Sequence, residues 1–131
     1  MSGSTDVPIA FEGMVAHLLG GRSIAVASSP PGPPVRVDGY SIGVVPVAPG
    51  PGPHLGELHP DGDELLYVFS GSMDLIIDDG DKETVGVETS VRLRPGDAFV
   101  VPRGIWHRLE AREPGRLLHI TPGPGGDYRP R

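Results

Sequence analysis

Short apolar stretches alternate with turn residues along most of the chain. Segments rich in Val, Ile, Leu, Tyr and Phe are separated by clusters of Pro, Gly, Asp and Ser. The pattern predicts strands at residues 40–47, 55–59, 64–69, 73–77, 84–93, 98–101, 106–111 and 116–121. Turn signals about every 8–12 residues are typical of β-sandwiches and barrels. The sequence therefore predicts an all-β domain.

The two ends of the chain carry weaker signals. Apolar runs at residues 14–19 and 23–28 surround Gly20 and Gly21, which predicts a hairpin. Residues 122–131 are again rich in Pro and Gly, and we expect this tail to lie on the surface or to stay mobile. We divide the chain into an N-terminal extension with short strands (1–38), a barrel (39–121) and a tail (122–131), all in a single domain.

Composition narrows the choice of class and partners. The 131 residues include 20 Gly and 16 Pro, a content that excludes a long helical bundle. Lys and Arg total 11 against 17 Asp and Glu, so the net charge of -6 argues against nucleic acid or a membrane surface as partner. The chain has no cysteine, its N-terminus does not resemble a signal peptide, and no apolar run approaches about 20 residues. We expect a cytoplasmic protein.

Candidate chemistry is concentrated in two segments. Glu57 and His59 are two residues apart in a predicted strand, so their side chains share a face. The turn at residues 60–63 then returns the chain, and Glu64 on the next strand can face the same interior. His107 stands at the start of a later strand. Imidazole and carboxylate groups together form common metal sites.

These two segments resemble the motifs of the cupins, small double-sheet jelly-roll barrels, over about residues 40–121. The second cupin motif is matched by Gly96, Pro102, Gly104 and His107, although Ala111 stands at its later Asn position. The first motif is matched by His59, Glu64 and Gly71, with Glu57 in place of its first His. The resemblance implies a cupin double-stranded β-helix.

The resemblance also implies one divalent metal ion, Fe, Mn or Zn, with Ni as a further option. Its ligands would be His59, Glu64 and His107. Glu57 is either a fourth ligand or a residue that positions a ligand imidazole, and in a third alternative Glu57 turns outward and His54 replaces it. A homodimer is expected because cupins commonly pair through their sheets.

Two imidazoles and a carboxylate match the facial triad of non-haem Fe(II) oxygenases. We therefore favour a metal-dependent dioxygenase that acts on a small organic substrate chelating the ion through oxygen atoms. An isomerase, decarboxylase or lyase that uses Mn or Zn as Lewis acid is the alternative. A non-catalytic cupin that binds a small molecule with the help of its metal is the third hypothesis.

Strand parity suggests which further residues line the cavity. His119 is a candidate acid or base, or a substrate contact, unless its role is only structural, and Glu57 is the second catalytic candidate. The expected apolar walls of the cavity are Leu66, Val68, Phe99, Val101 and Leu109.

Overall fold

The structure is a computed structural model that describes residues 8–29, 34–50 and 52–131. The described residues form nine strands and no helix, which confirms the predicted all-β class. The strands are β1 (Met14–Leu19), β2 (Ile24–Ser28), β3 (Gly39–Val47), β4 (His54–Leu58), β5 (Glu64–Asp78), β6 (Glu88–Leu93), β7 (Ala98–Val101), β8 (Trp106–Gly123) and β9 (Asp127–Pro130). Within the described ranges, no helix has the length and apolar character needed to cross a membrane.

Two long antiparallel strands, β5 and β8, connect the two layers of the domain. In the first layer the neighbouring strands are β2, β1, β3, the second half of β8, the first half of β5, and β7. In the second layer they are β9, β4, the first half of β8, the second half of β5, and β6. The arrangement is a jelly-roll sandwich with its core between the layers.

The crossing between the layers depends on glycine. The register of β5 against β8 shifts at Ser70 and Ser72, where both strands change layer. Gly71 has a φ of 76°, and a Cβ there would lie 2.7 Å from the carbonyl oxygen of Pro114. The turns predicted at residues 70–71 and 112–115 are therefore bends within continuous strands, and our separation of β5 and β8 into four shorter strands was wrong.

The core fills the space between the layers on one side of the barrel. It is formed by buried aliphatic side chains from β5, β6, β7 and β8: Leu66, Val68, Met73, Leu75, Leu93, Val101 and Leu117. Their alternation with outward-facing residues gives β5 its buried and half-buried pattern. The opposite side of the same interior holds the polar residues described below.

Two segments differ from the sequence-based expectation. The strand predicted at 84–93 begins only at Glu88, because Asp side chains hold the preceding loop by bonding to its backbone N–H groups. The predicted tail contains β9, which pairs with β4. At the other end, β1 and β2 form the predicted hairpin, and β1 pairs with β3. Residues 1–7 and 30–33 of the extension lie outside the described residues.

A buried ion pair fixes β9 to the barrel. The guanidinium of Arg129 donates to both carboxylate oxygens of Asp78 at 2.8 and 2.9 Å, and the two side chains are 4% and 1% exposed. The same guanidinium lies 4.4 Å from the centre of the Trp106 ring. The C-terminal residues are thus part of the folded domain.

Candidate metal centre

Four side chains from three strands and one turn meet inside the barrel. Glu57 lies on β4 directly opposite His107 on β8, and Glu64 begins β5. His59 follows β4, and its carbonyl oxygen accepts a hydrogen bond from the N–H of Gly104. The four residues each offer a ligand atom, and these atoms all lie within 4.8 Å of one another. The structure thus brings together the four residues that the sequence analysis proposed as ligands.

The spacing of the donor atoms suits a single ion. The Nε2 atom of His59 lies 3.4 Å from Glu57 Oε1 and 3.3 Å from Glu64 Oε2. The Nε2 atom of His107 lies 3.4 Å from Glu57 Oε1 and 3.0 Å from Glu64 Oε1. Two donors at about 2.1 Å from one ion are about 3.0 Å apart at a right angle and about 4.2 Å apart when opposite. The four groups fit a common divalent ion.

The hydrogen bonding of the two imidazoles also suits a metal. His107 Nδ1 donates to the carbonyl oxygen of Ile105 at 2.9 Å, an outer contact that leaves Nε2 as the inward ligand atom. Both ring nitrogens of His59 are buried and find no hydrogen-bond partner among the described residues. Buried ring nitrogens rarely remain without a partner, and an ion bound to Nε2 would supply one.

The electrostatics of the cluster favour charged groups despite their burial. Burial lowers the pKa of each imidazole, but the adjacent carboxylates of Glu57 and Glu64 outweigh it and raise the pKa of His59 to about 9 and of His107 to about 10. Burial raises the pKa of Glu64, but His107 and His59 lower it to about 2. The same imidazoles hold the pKa of Glu57 well below its usual range.

Glu57 faces the cluster, and His54 stands behind it. His54 Nε2 lies 3.6 Å from the second carboxylate oxygen of Glu57, and its Nδ1 accepts the N–H of Gly56 at 3.1 Å. The Glu57 side chain is 30% exposed, whereas those of His59, Glu64 and His107 are nearly buried. The alternative in which His54 replaces an outward-turned Glu57 is therefore wrong.

A cavity of about 510 Å³ opens onto the cluster. Its lining includes Glu57, Glu64 and His107 together with aliphatic side chains from both layers. Leu66 and Leu109 line it as expected, but Val68, Phe99 and Val101 pack in or against the hydrophobic core instead. That part of the wall prediction was wrong, because alternation identifies the inward face of a strand but not which part of the interior that face meets.

His119 lines this cavity and is connected to the cluster through Thr121. Thr121 donates its hydroxyl proton to Glu64 Oε2 at 2.6 Å, so it must accept from His119 Nδ1 at 2.8 Å. The Nε2 atom of His119 is then an acceptor, and burial lowers its pKa. A Cβ at Gly43 would lie only 2.7 Å from this Nε2, so the glycine makes room for the ring.

Sequence reasoning missed two residues of the site. Thr121 shares a face with His119 two positions earlier, and strand parity could have indicated it. Arg36 lines the same cavity from the connection between β2 and β3. No motif or periodicity marks this residue.

Comparisons with known proteins agree with the architecture. Residues 43–121, more than half of the chain, match the cupin domain family. An oxalate oxidase solved in complex with the substrate analogue glycolate is 23% identical, with a TM-score of 0.56 over 98% of this chain and 59% of that chain. Oxalate decarboxylase of Bacillus subtilis is 24% identical, with a TM-score of 0.55 over 68% of this chain and 23% of that chain.

Identities this low establish the fold and leave the activity to be argued from the site. The chain spans less than two thirds of the length of either relative. A search of the curated protein sequences finds no match to this chain. The matched segment contains the residues of both sequence motifs and all of the cluster. The chain belongs to the cupin domain family.

Proposed function

We propose that this protein is a metal-dependent cupin enzyme that acts on a small organic substrate with oxygen atoms to offer to the ion. Its residues Glu57, His59, Glu64 and His107 would hold one divalent ion. The observation that carries the proposal is the convergence of these four donors, three of which line the cavity. The ion would supply Lewis-acid activation of substrate oxygens.

The donor set restricts the metal. Two imidazoles and two carboxylates, without thiolate or thioether, suit Mn, Fe or Zn, with Ni as a further option. Two carboxylate charges neutralise a divalent ion, which makes the site electrically balanced before any substrate enters. The additional carboxylate of Glu57 favours Mn or Fe within this group.

Proton transfer is the chemistry that the chain's own residues support best. The neutral His119 presents the acceptor Nε2, and Thr121 holds the opposite side of its ring. A positioned imidazole beside a polarised substrate is a general base or acid. We therefore favour isomerisation, decarboxylation or lyase chemistry, with His119 as the catalytic residue and Glu57 as ligand.

A dioxygenase is the second candidate function. The number of protein ligands on the ion distinguishes it from an enzyme that works by proton transfer. Three ligands leave three positions on a six-coordinate ion, enough for a chelating substrate and O2 together. If Glu57 also binds, two positions remain, which suffice for a chelating substrate alone. The preference for Fe(II) dioxygenase chemistry depended on the three-ligand set, so the closeness of Glu57 to both imidazoles reduces it.

Metal content is the first test. We expect purified protein, or protein reconstituted with Mn²⁺, Fe²⁺ or Zn²⁺, to contain one ion per chain by elemental analysis. His107→Ala should lose this ion because it removes a buried ligand. His17→Gln is the matched control, since His17 lines the same cavity but bonds to Ser41 outside the cluster. Stoichiometric metal in His107→Ala would refute the ligand set.

Activity is the second test, and it separates the reaction classes. A panel of keto acids, diketones and catechols is incubated with the reconstituted protein, and oxygen uptake, CO2 release and NMR exchange of substrate C–H for deuterium are followed. We expect exchange or carbon–carbon cleavage without oxygen uptake, and His119→Gln should slow it at least tenfold at unchanged metal content. Oxygen uptake above the metal-free control would favour the dioxygenase, and substrate binding with no reaction would favour a binding protein.

We also propose a homodimer through the outer face of the first layer. Leu65, Tyr67 and Phe69 on β5 face outward, and their neighbours across the sheet include Val100, Leu118 and Ile120. An apolar face that continues across strands is a typical self-association surface. Phe69→Asp should give a monomer by light scattering, while Val87→Asp, on an exposed loop, should not. A monomeric wild type would refute the proposal.

A further inference from the structure

Arg36 places a positive charge beside the cluster, and one of its donor atoms is buried without a hydrogen-bond partner in the described part of the chain. It reaches the interior from the connection between β2 and β3, and it lines two cavities that adjoin Glu57. Its Nη1 atom is buried and has no hydrogen-bond partner within residues 8–29, 34–50 and 52–131. A guanidinium presents its donors in a planar fork that matches a carboxylate.

The charge on Arg36 is maintained in this setting. Burial lowers the pKa of Arg36, and the carboxylates of Glu57 and Glu64 oppose that effect. A guanidinium remains protonated in proteins at neutral pH. A buried donor that lacks an acceptor is costly to the folded protein. A ligand that offers an acceptor to Arg36 Nη1 would remove this cost.

A count of charges gives the kind of ligand. The two carboxylates of Glu57 and Glu64 balance a divalent ion bound to them and to two neutral imidazoles. Arg36 then leaves the region with one positive charge. A ligand with one negative charge neutralises it, whereas a neutral ligand leaves the guanidinium without a counter-ion. Aliphatic residues around the same cavity, Val15, Val45, Val47, Leu109 and Leu117, suit an apolar substituent.

We propose that Arg36 is the specificity-determining residue that binds the carboxylate of a monoanionic substrate in this cavity. The inference rests on the proposed function, because the charge count requires the divalent ion. It narrows the substrate class to small monocarboxylic acids that carry an apolar group and a further oxygen atom for the ion.

Paired probes test the charge requirement directly. Pyruvate with pyruvamide, and mandelate with mandelamide, keep nearly the same shape while the carboxylate becomes a neutral amide. Binding of each probe to the Mn²⁺-loaded full chain is measured by calorimetry. We expect at least one acid to bind at least tenfold more tightly than its amide, because a charge-assisted hydrogen bond stabilises more than a neutral one. Equal affinities within both pairs would overturn the proposal.

Substitutions assign the effect to the residue. Arg36→Gln should weaken binding of the acid at least tenfold and leave binding of the amide nearly unchanged. The affinity of Arg36→Lys for the acid should lie between those of the wild type and Arg36→Gln, because lysine keeps the charge but lacks the planar pair of donors. Arg22→Gln is the matched control, since Arg22 is exposed in the β1–β2 turn. Unchanged acid binding in Arg36→Gln would overturn the inference.

The failures of the two proposals are distinguishable in the same samples. Protein that loads one Mn²⁺ per chain but binds none of the acids would overturn the role of Arg36 and leave the proposed metal site intact. Protein that takes up no ion would refute the proposed function. The charge count would then lose its basis as well, because it assumes a bound divalent ion.

Discussion

Binding of one divalent ion should release two protons at pH 7. In the metal-free protein the pKa of His59 is raised to about 9 and that of His107 to about 10, so both imidazoles carry an extra proton at neutral pH. Glu64, with a pKa lowered to about 2, has no proton to release. Metal binding requires neutral imidazoles. The ion therefore replaces two protons and leaves the net charge of the cluster unchanged.

The size of the pH effect follows from this count. If two protons leave for each ion bound, the apparent association constant rises about 100-fold per pH unit. The slope should weaken as the pH approaches about 9, where half of the His59 imidazoles have lost their proton in the free protein. At higher pH the slope should fall toward one and then toward zero.

Calorimetry in several buffers measures the proton number directly. Mn²⁺ or Zn²⁺ is titrated into metal-free protein at pH 7 in Pipes, Hepes and Tris, whose ionisation enthalpies differ. The slope of the observed enthalpy against the buffer enthalpy gives the protons released, and we expect about two. His59→Gln should release about one. His17→Gln, which changes a buried histidine outside the cluster, should still release two.

A wild-type value below one proton would show that the imidazoles are already neutral in the free protein. The ion pairs with Glu57 and Glu64 would then be wrong as a description of the metal-free state. Two protons from wild type and two from His59→Gln would instead assign the released protons to other groups. Either result would refute the reasoning.

Three further outcomes are expected. Arg129→Met should lower the free energy of unfolding by about 3 kcal/mol at pH 7 in urea titrations, because Asp78 stays buried without its cation. This loss should shrink as pH falls through about 2, the lowered pKa of Asp78, and a loss below about 1 kcal/mol at pH 7 would contradict the prediction. Gly43→Ala should displace the His119 ring and slow proton transfer, with metal affinity unchanged; unaltered exchange rates would contradict it. In the metal-free protein, the stability due to the raised pKa values of the two imidazoles is complete below about pH 6.5 and should be lost as pH rises through 9 to 10, which unfolding followed by Trp106 fluorescence checks.

The candidate ligands were predictable because their placement depends on local rules. Glu57 and His59 share a face through strand parity, and the four-residue turn before Glu64 is short enough to fix the next strand. His107 is distant in sequence, and only the resemblance to a family motif placed it with the others. The register that sets Glu57 opposite His107 across β4 and β8 is not a local property.

The features that escaped prediction depend on contacts between distant segments. β9 is four residues long in a Pro- and Gly-rich stretch, and its strand form depends on pairing with β4. Arg36 is a single arginine next to a Pro-rich segment, and its importance comes only from the cavity that distant strands build around it. Local propensity contains no information on either contact.

The C-terminal strand connects the stability of the barrel to the geometry of the site. Glu57 pairs with His107 on one side and with Tyr128 of β9 on the other, so β4 holds its ligand between two strands. Arg129 follows Tyr128, binds Asp78 at the end of β5 and covers Trp106, the neighbour of His107. The Arg129–Asp78 ion pair therefore helps to hold β4, through its pairing with β9, and β8, through Trp106. The segment that looks like a tail in the sequence supports the candidate metal site, and we expect changes in it to affect metal affinity as well as stability.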